Sequence, residues 1–167
     1  SAIMGASMAG AKQIIAVDQT LEKEELAREF GATDFILSSD EDIERVIELT
    51  ENRGADVVIE AVGIPQLQQL WLEGVRPGGT LVLVGVPHVD VSSSYGSANL
   101  IRMQKTITGS YFSATDTKKA IQDLCAAYVD GRLPVDRLIT KRIQIDEIQD
   151  AIDLVVTGVE GRIVITF

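Results

Sequence analysis

Cysteine and histidine are almost missing from this sequence of 167 residues, which has one of each, Cys125 and His88. A lone thiol cannot close an intrachain disulfide, and one Cys with one His cannot assemble a zinc site of the usual Cys/His type. Such low cysteine use points to a reducing, cytoplasmic setting. Basic residues are also in deficit, 15 Lys and Arg against 25 Asp and Glu for a formal net charge of -10, and they form no stripe. No nucleic acid or other polyanion is therefore expected as a partner. Long apolar runs are lacking too: none approaches the roughly 20 residues of a bilayer-spanning helix, and the first residues carry no basic segment of a signal peptide, so no membrane is expected as a partner. What is present, 46% hydrophobic and 24% charged residues with only 5% aromatics, has the balance of one folded domain with a buried core.

Short β-branched runs alternate with longer segments of helical period, the pattern of βα units around a mostly parallel sheet. The runs at 13–17, 34–37, 56–61, 80–84, 106–111 and 162–167 predict strands, and most are apolar without alternation, as strands covered on both faces are. Segments 21–30, 42–52, 64–75, 115–130 and 145–157 repeat apolar residues every three or four positions and predict amphipathic helices. Gly31, Gly54 and the run Pro77-Gly78-Gly79 punctuate these elements. The serine-rich stretch 88–96, which holds His88, reads as a solvated loop at a site margin. In the acidic run 38–42, Ser39 or Asp40 followed by acids fits helix capping better than a calcium or magnesium loop, because the spaced ligands and glycine of such a loop are missing.

The most informative local feature is Ile14-Ile15-Ala16-Val17-Asp18, an apolar strand ending in a carboxylate and leading into a charged helix. In a dinucleotide-binding unit an acid at the end of the second strand accepts hydrogen bonds from the adenosine ribose, about 20 residues beyond a glycine fingerprint. Counting back that far runs off residue 1, and no G-x-G-x-x-G is found; residues 1–9, rich in Gly, Ala and Ser, read as the helix that follows such a turn. Spacing alone also allows Asp18 to be no more than a cap on the next helix.

A series of segments, in order, resembles the zinc-dependent medium-chain alcohol dehydrogenases: Ser-Ala-Ile-Met-Gly at the start, Ala-Gly-Ala-Lys-Gln-Ile-Ile-Ala-Val-Asp, Glu-Phe-Gly-Ala-Thr-Asp, Gly-Ala-Asp-Val-Val-Ile-Glu-Ala-Val-Gly, Arg-Pro-Gly-Gly-Thr-Leu-Val-Leu-Val-Gly-Val-Pro, Ile-Thr-Gly-Ser-Tyr-Phe and the final Gly-Arg-Ile-Val-Ile-Thr-Phe. The resemblance runs through the whole chain and implies a Rossmann-like α/β fold, a doubly wound parallel sheet lacking its first strand and glycine fingerprint. It implies a coenzyme-binding part at 1–139 and a segment at 140–167 that in the family returns to the catalytic domain. NAD is the implied cofactor. Zinc is implied for the full-length family, with no ligands in this chain, and no catalytic residue is assigned here.

By the same resemblance, Asp18 and Lys23 match residues that hold the adenosine ribose. Val62 and Gly63 match a turn beside the cofactor, Val84, Gly85 and Val86 the segment against the nicotinamide, Phe112 a backbone contact to its carboxamide, and Arg162 an arginine that reaches the pyrophosphate. Each has a plainer reading: Lys23 as half of an exposed pair with Glu22 or Glu25, Val84 and Val86 as sheet core, Gly63 and Gly85 as tight turns, Arg162 as a surface ion pair. Cys125 reads as a buried small hydrophobe rather than a nucleophile.

Two functions are consistent with these observations: the coenzyme-binding portion of an NAD-dependent alcohol dehydrogenase, inactive on its own, or a non-catalytic dinucleotide-binding or self-associating module. The family's dimers join through an edge strand that matches 106–110, from which Thr106 and Ser110 mark the ends, so a homodimer is expected. In the strand order 3-2-1-4-5-6 the missing first strand is central. Strands 13–17 and 56–61 are then expected to lack a ladder partner unless they pair directly, are bridged by another chain, or are completed by residues outside this sequence.

Overall fold

The computed structural model describes residues 1–113, 116–158 and 160–167. The chain divides into two compact units, one made of Ser1–Ser38 with Ile121–Phe167 and the other of Ser39–Ala120. Every strand pair among the described residues is parallel, in the order β1-β2, β3-β4-β5 and β6-β7. The α/β class with parallel pairing follows the sequence pattern, in which a helical stretch lies between successive strands.

In the first unit, helix α1 (Ala2–Met8) precedes strand β1 (Ile15–Asp18). A 3-10 turn at Leu21–Lys23 and helix α2 (Glu24–Glu29) cross over to β2 (Asp34–Leu37), with Ile15 opposite Asp34 and Asp18 opposite Leu37. Gly31 takes φ 110 after α2, a backbone that side-chain-bearing residues rarely adopt, and a Cβ there would lie 2.8 Å from Ser7 Oγ. Three alanines, Ala16, Ala27 and Ala32, form one small core, and Met4, Phe30, Ala127 and Leu133 form another. Helix α6 (Thr117–Val129) supplies Ala127. Strand β6 (Ile139–Gln144) pairs with β7 (Arg162–Thr166) across helix α7 (Ile148–Thr157).

In the second unit, helix α3 (Asp42–Leu49) leads to β3 (Ala55–Glu60), helix α4 (Pro65–Gly74) and β4 (Val75–Leu83). Helix α5 (Ser97–Arg102) then crosses over to β5 (Thr106–Gly109). Proline is tolerated at the first turn of α4 because the N–H it lacks would have no partner there. The core is Leu72, Val75 and Leu81, with Val58, Leu83 and Ile107 packed on it. Outside the sheet's inner face, Asp56 accepts from Arg53 and Arg76, which holds its carboxyl far below the usual carboxylate range.

Several expectations from sequence need correction. The apolar face expected inward on α6 is not buried: Cys125 is exposed, as are Ile121, Leu124 and Tyr128, because the helix turns Ala127 into the core, where a methyl group permits close approach. Coverage of the strands on both faces fails on β3, where Val57 and Ile59 are 55% and 40% exposed. Val84 and Val86 are exposed, not core. The cap of α3 is Glu41 rather than Ser39 or Asp40, and it makes no side-chain cap bond; Asp42 instead reaches back to the Ser39 amide at 2.8 Å. Strand β4 starts at Val75, but regular pairing begins at Thr80, after the Pro77-Gly78-Gly79 irregularity. Strand β6 and helix α5 were not expected at all. The helix expected from 115 begins on a residue outside the described ones.

Among the described residues β1 pairs only with β2, and β3 only with β4. No helix there is long and apolar enough to cross a membrane.

Candidate functional site

Asp18 closes β1 with its side chain 34% exposed. Its Oδ1 accepts the Thr20 amide at 3.0 Å in a local turn; Asp18 does not cap the next helix, since Thr20 and Lys23 hold the cap positions of the 3-10 turn and of α2. Its Oδ2 accepts from Lys23 Nζ at 3.2 Å, which sets aside the pairing of Lys23 with neighbouring glutamates. An ionised carboxylate offers about four lone-pair sites and an ammonium three donors. Two acceptor sites on Asp18 and two donors on Lys23 therefore remain for a ligand rich in hydroxyl groups. Arg162, at the start of β7, is exposed; its guanidinium donates to the Gly161 carbonyl at 3.5 Å, and among the described residues no carboxylate pairs with it.

In the second unit the turns after β3 and β4 meet backbone to backbone. Gly63, at φ 85, would place a Cβ 2.9 Å from Val86 N, and a Cβ on Gly85 would fall 2.1 Å from Gly63 N. Both glycines are therefore demanded by close approach, and at Gly63 by backbone conformation as well. The turns present Val62, Val84 and Val86 as an apolar ledge, 66%, 42% and 73% exposed. Five of the expected residues, Val62, Gly63, Val84, Gly85 and Val86, are thus brought together. Phe112 follows the end of β5, where the Ser110 amide bonds the Leu83 carbonyl at 2.9 Å; it is 88% exposed, has φ 56, and meets Tyr111 edge to face at 5.2 Å.

Beneath the ledge lies a buried carboxylate that sequence reasoning missed. Glu60, 3% exposed, accepts the Val62 and Gly63 amides on Oε1 at 2.7 and 2.8 Å, and Gln68 Nε2 on Oε2 at 3.1 Å. Its own carbonyl accepts the Val84 and Gly85 amides at 2.8 and 3.0 Å. The signal that could have found it is the one that drew attention to Asp18, since Val57-Val58-Ile59-Glu60 is likewise an apolar strand ending in an acid.

Residues 1–127 match the family described as zinc-binding dehydrogenase. The chain belongs to that family. Relatives of the chain include an alcohol dehydrogenase of Malus domestica, 31% identical over 99% of this chain and 44% of its own length. Alcohol dehydrogenase 2 of Zea mays is 35% identical over 95% of this chain and 42% of its own length. Among solved structures, an alcohol dehydrogenase zinc-binding domain protein from Burkholderia ambifaria is 28% identical with a TM-score of 0.91, covering 99% of this chain and 45% of that one. Benzyl alcohol dehydrogenase from Acinetobacter calcoaceticus is also 28% identical, with a TM-score of 0.90 over 98% of this chain and 45% of its own. The chain thus spans less than half the length of the relatives it matches.

The family name raises the question of zinc. Among the described residues no three His, Cys, Asp or Glu side chains gather as a metal site, so the donors present here do not fit the ion.

Proposed function

We propose that this chain is the coenzyme-binding portion of an NAD-dependent alcohol dehydrogenase, with its glycine turn and zinc ligands supplied by residues upstream. The observation that carries this reading is Asp18: a half-buried carboxylate at the carboxyl end of a parallel strand, keeping acceptor capacity beside a lysine, suits the two hydroxyls of an adenosine ribose. On the same reading Arg162 meets the pyrophosphate, for which a guanidinium fork is suited. Val62, Gly63, Val84, Gly85 and Val86 receive the nicotinamide on apolar surface and backbone, and the Phe112 amide its carboxamide. Bound NAD would supply the hydride acceptor for alcohol oxidation. The division into a coenzyme part at 1–139 and a segment at 140–167 joining a catalytic domain belongs to the same proposal.

A second reading, a non-catalytic dinucleotide-binding or self-associating module, draws on the single ladder partner that β1 and β3 each have among the described residues. Alcohol-dependent NADH formation separates the two. This chain alone is expected to give none and to bind NADH weakly, whereas the chain joined to an upstream strand, glycine turn and catalytic domain is expected to turn over. Turnover by the chain alone would sink the proposal, and so would an inactive but well-folded extended form.

We also propose a homodimer through β5. That strand pairs only with β4 among the described residues, and isologous pairing would satisfy its free backbone groups on both copies at once. Sedimentation of the extended form should show a dimer that Ile107→Pro dissociates. A parent that stays monomeric at high concentration would rule the pairing out.

A further inference from the structure

Gln68 is 3% exposed on α4, and every polar atom of its carboxamide is used. Nε2 donates to Glu60 Oε2 and to the Gly85 carbonyl, each at 3.1 Å, while Oε1 accepts from Ser93 Oγ at 2.6 Å. The amide has only one sense that works: two acceptors face the nitrogen and one hydroxyl faces the oxygen, and a flip would set carbonyl against carboxylate. Through Glu60 this side chain reaches the Val62 and Gly63 amides, through the Gly85 carbonyl it reaches the second turn, and through Ser93 it reaches the loop at 88–96. Three separate pieces of backbone are thus fixed by one buried amide.

We infer that Gln68 is a positioning residue for the nicotinamide end of the cofactor: it sets the spacing of the Val62-Gly63 and Val84-Gly85-Val86 turns and, through Ser93, ties the 88–96 loop to them. The inference rests on the reading of these turns as the nicotinamide contact. The network explains why the turns can come into backbone contact while two aliphatic side chains stay exposed on them. A burial drive would pull Val62 and Val86 inward, and the amide and carboxylate beneath hold the backbone against it. Ser93 also gives the serine-rich loop a role that its composition did not reveal.

The test uses the extended form of the chain named above, with two variants and two ligands. ADP-ribose carries the adenosine and pyrophosphate parts of NADH without the pyridine ring. In Gln68→Met, which keeps the length and removes the hydrogen bonds, NADH affinity is expected to fall about tenfold, the scale of one lost hydrogen bond to a charged group, with ADP-ribose affinity unchanged within about twofold. Amide exchange at Gly63 and Gly85 should quicken without ligand. Ser93→Ala, which removes only a loop hydroxyl and leaves the core intact, should weaken NADH by about threefold in the same selective way.

Equal loss of both ligands in Gln68→Met would reduce the residue to general structural support and overturn the inference. So would quickened exchange with unchanged NADH affinity, in which case the cofactor reading stands. An unaltered Ser93→Ala would remove the loop from the network. Equal affinity of the parent enzyme for NADH and ADP-ribose would instead defeat the nicotinamide assignment itself, and the role of Gln68 with it.

Discussion

Gly85→Ala is expected to lower the stability of the unit Ser39–Ala120 by about 3 kcal/mol, at the upper end for a single added methyl group. The added carbon would lie 2.1 Å from Gly63 N, 2.6 Å from the Val62 carbonyl carbon and 2.7 Å from Gly63 Cα. All three are backbone atoms, so no rotamer change relieves the clash. The turns must separate, and the bonds that join them, from the Val84 and Gly85 amides to the Glu60 carbonyl and from Gln68 Nε2 to the Gly85 carbonyl, stretch with them. Trp71, the single tryptophan, packs on the core of this unit, so its fluorescence during urea unfolding reports the change directly. Gly109→Ala is the control: nothing lies within 4 Å of its Cβ position, and a shift within about 1 kcal/mol is expected. A Gly85→Ala midpoint equal to the parent's would mean that the two turns are free to part.

Cofactor choice should rest on Asp18. Two unit charges 4 Å apart repel by about 4 kcal/mol at an effective dielectric of about 20, and Lys23 offsets part of that for a phosphate on the ribose. On the proposed reading, the chain extended with an upstream strand, glycine turn and catalytic domain is therefore expected to prefer NADH over NADPH by about 100-fold, and Asp18→Ser to narrow the preference to about tenfold or less. Fluorescence titration with both cofactors reads the two ratios. Equal affinity of the parent for both would show that Asp18 does not face the ribose.

The fold was legible where helical and strand periods are pure. The runs around β1, β2, β3 and β7 were found because they carry consecutive β-branched or apolar residues, and α2, α3, α4 and α7 because their apolar spacing repeats. Strand β6 hid because its apolar residues, Ile139 and Ile143, stand four apart with Thr, Lys and Arg between them, a helical spacing on a largely exposed strand. Helix α5 is six residues long and too short to show a period. At the site, sequence spacing flagged acids at strand ends and glycines at turns. It could not show that Glu60 turns inward while Asp18 stays half exposed, since both are acids at strand ends that bond near neighbours. That Gly63 and Gly85 touch was hidden because two chain segments more than 20 residues apart must cross. Burial of Gln68 was invisible for the same reason: its partners come from β3, the turn after β4 and the 88–96 loop.

The unit Ser39–Ala120 is continuous in sequence, whereas the other takes Ser1–Ser38 and Ile121–Phe167 from the two ends of the chain. Because synthesis runs from the N-terminus, the continuous unit can close its three strands while the C-terminal residues are still inside the ribosome. The discontinuous one cannot: Met4 and Phe30 are translated before the continuous unit, yet the Ala127 and Leu133 that complete their core come roughly a hundred residues later, several seconds at about 5 to 20 residues per second. For that interval Met4 and Phe30 wait uncovered beside the small core of Ala16, Ala27 and Ala32, which the N-terminal stretch closes by itself, and this is the stretch of the nascent chain on which a chaperone would have most to hold.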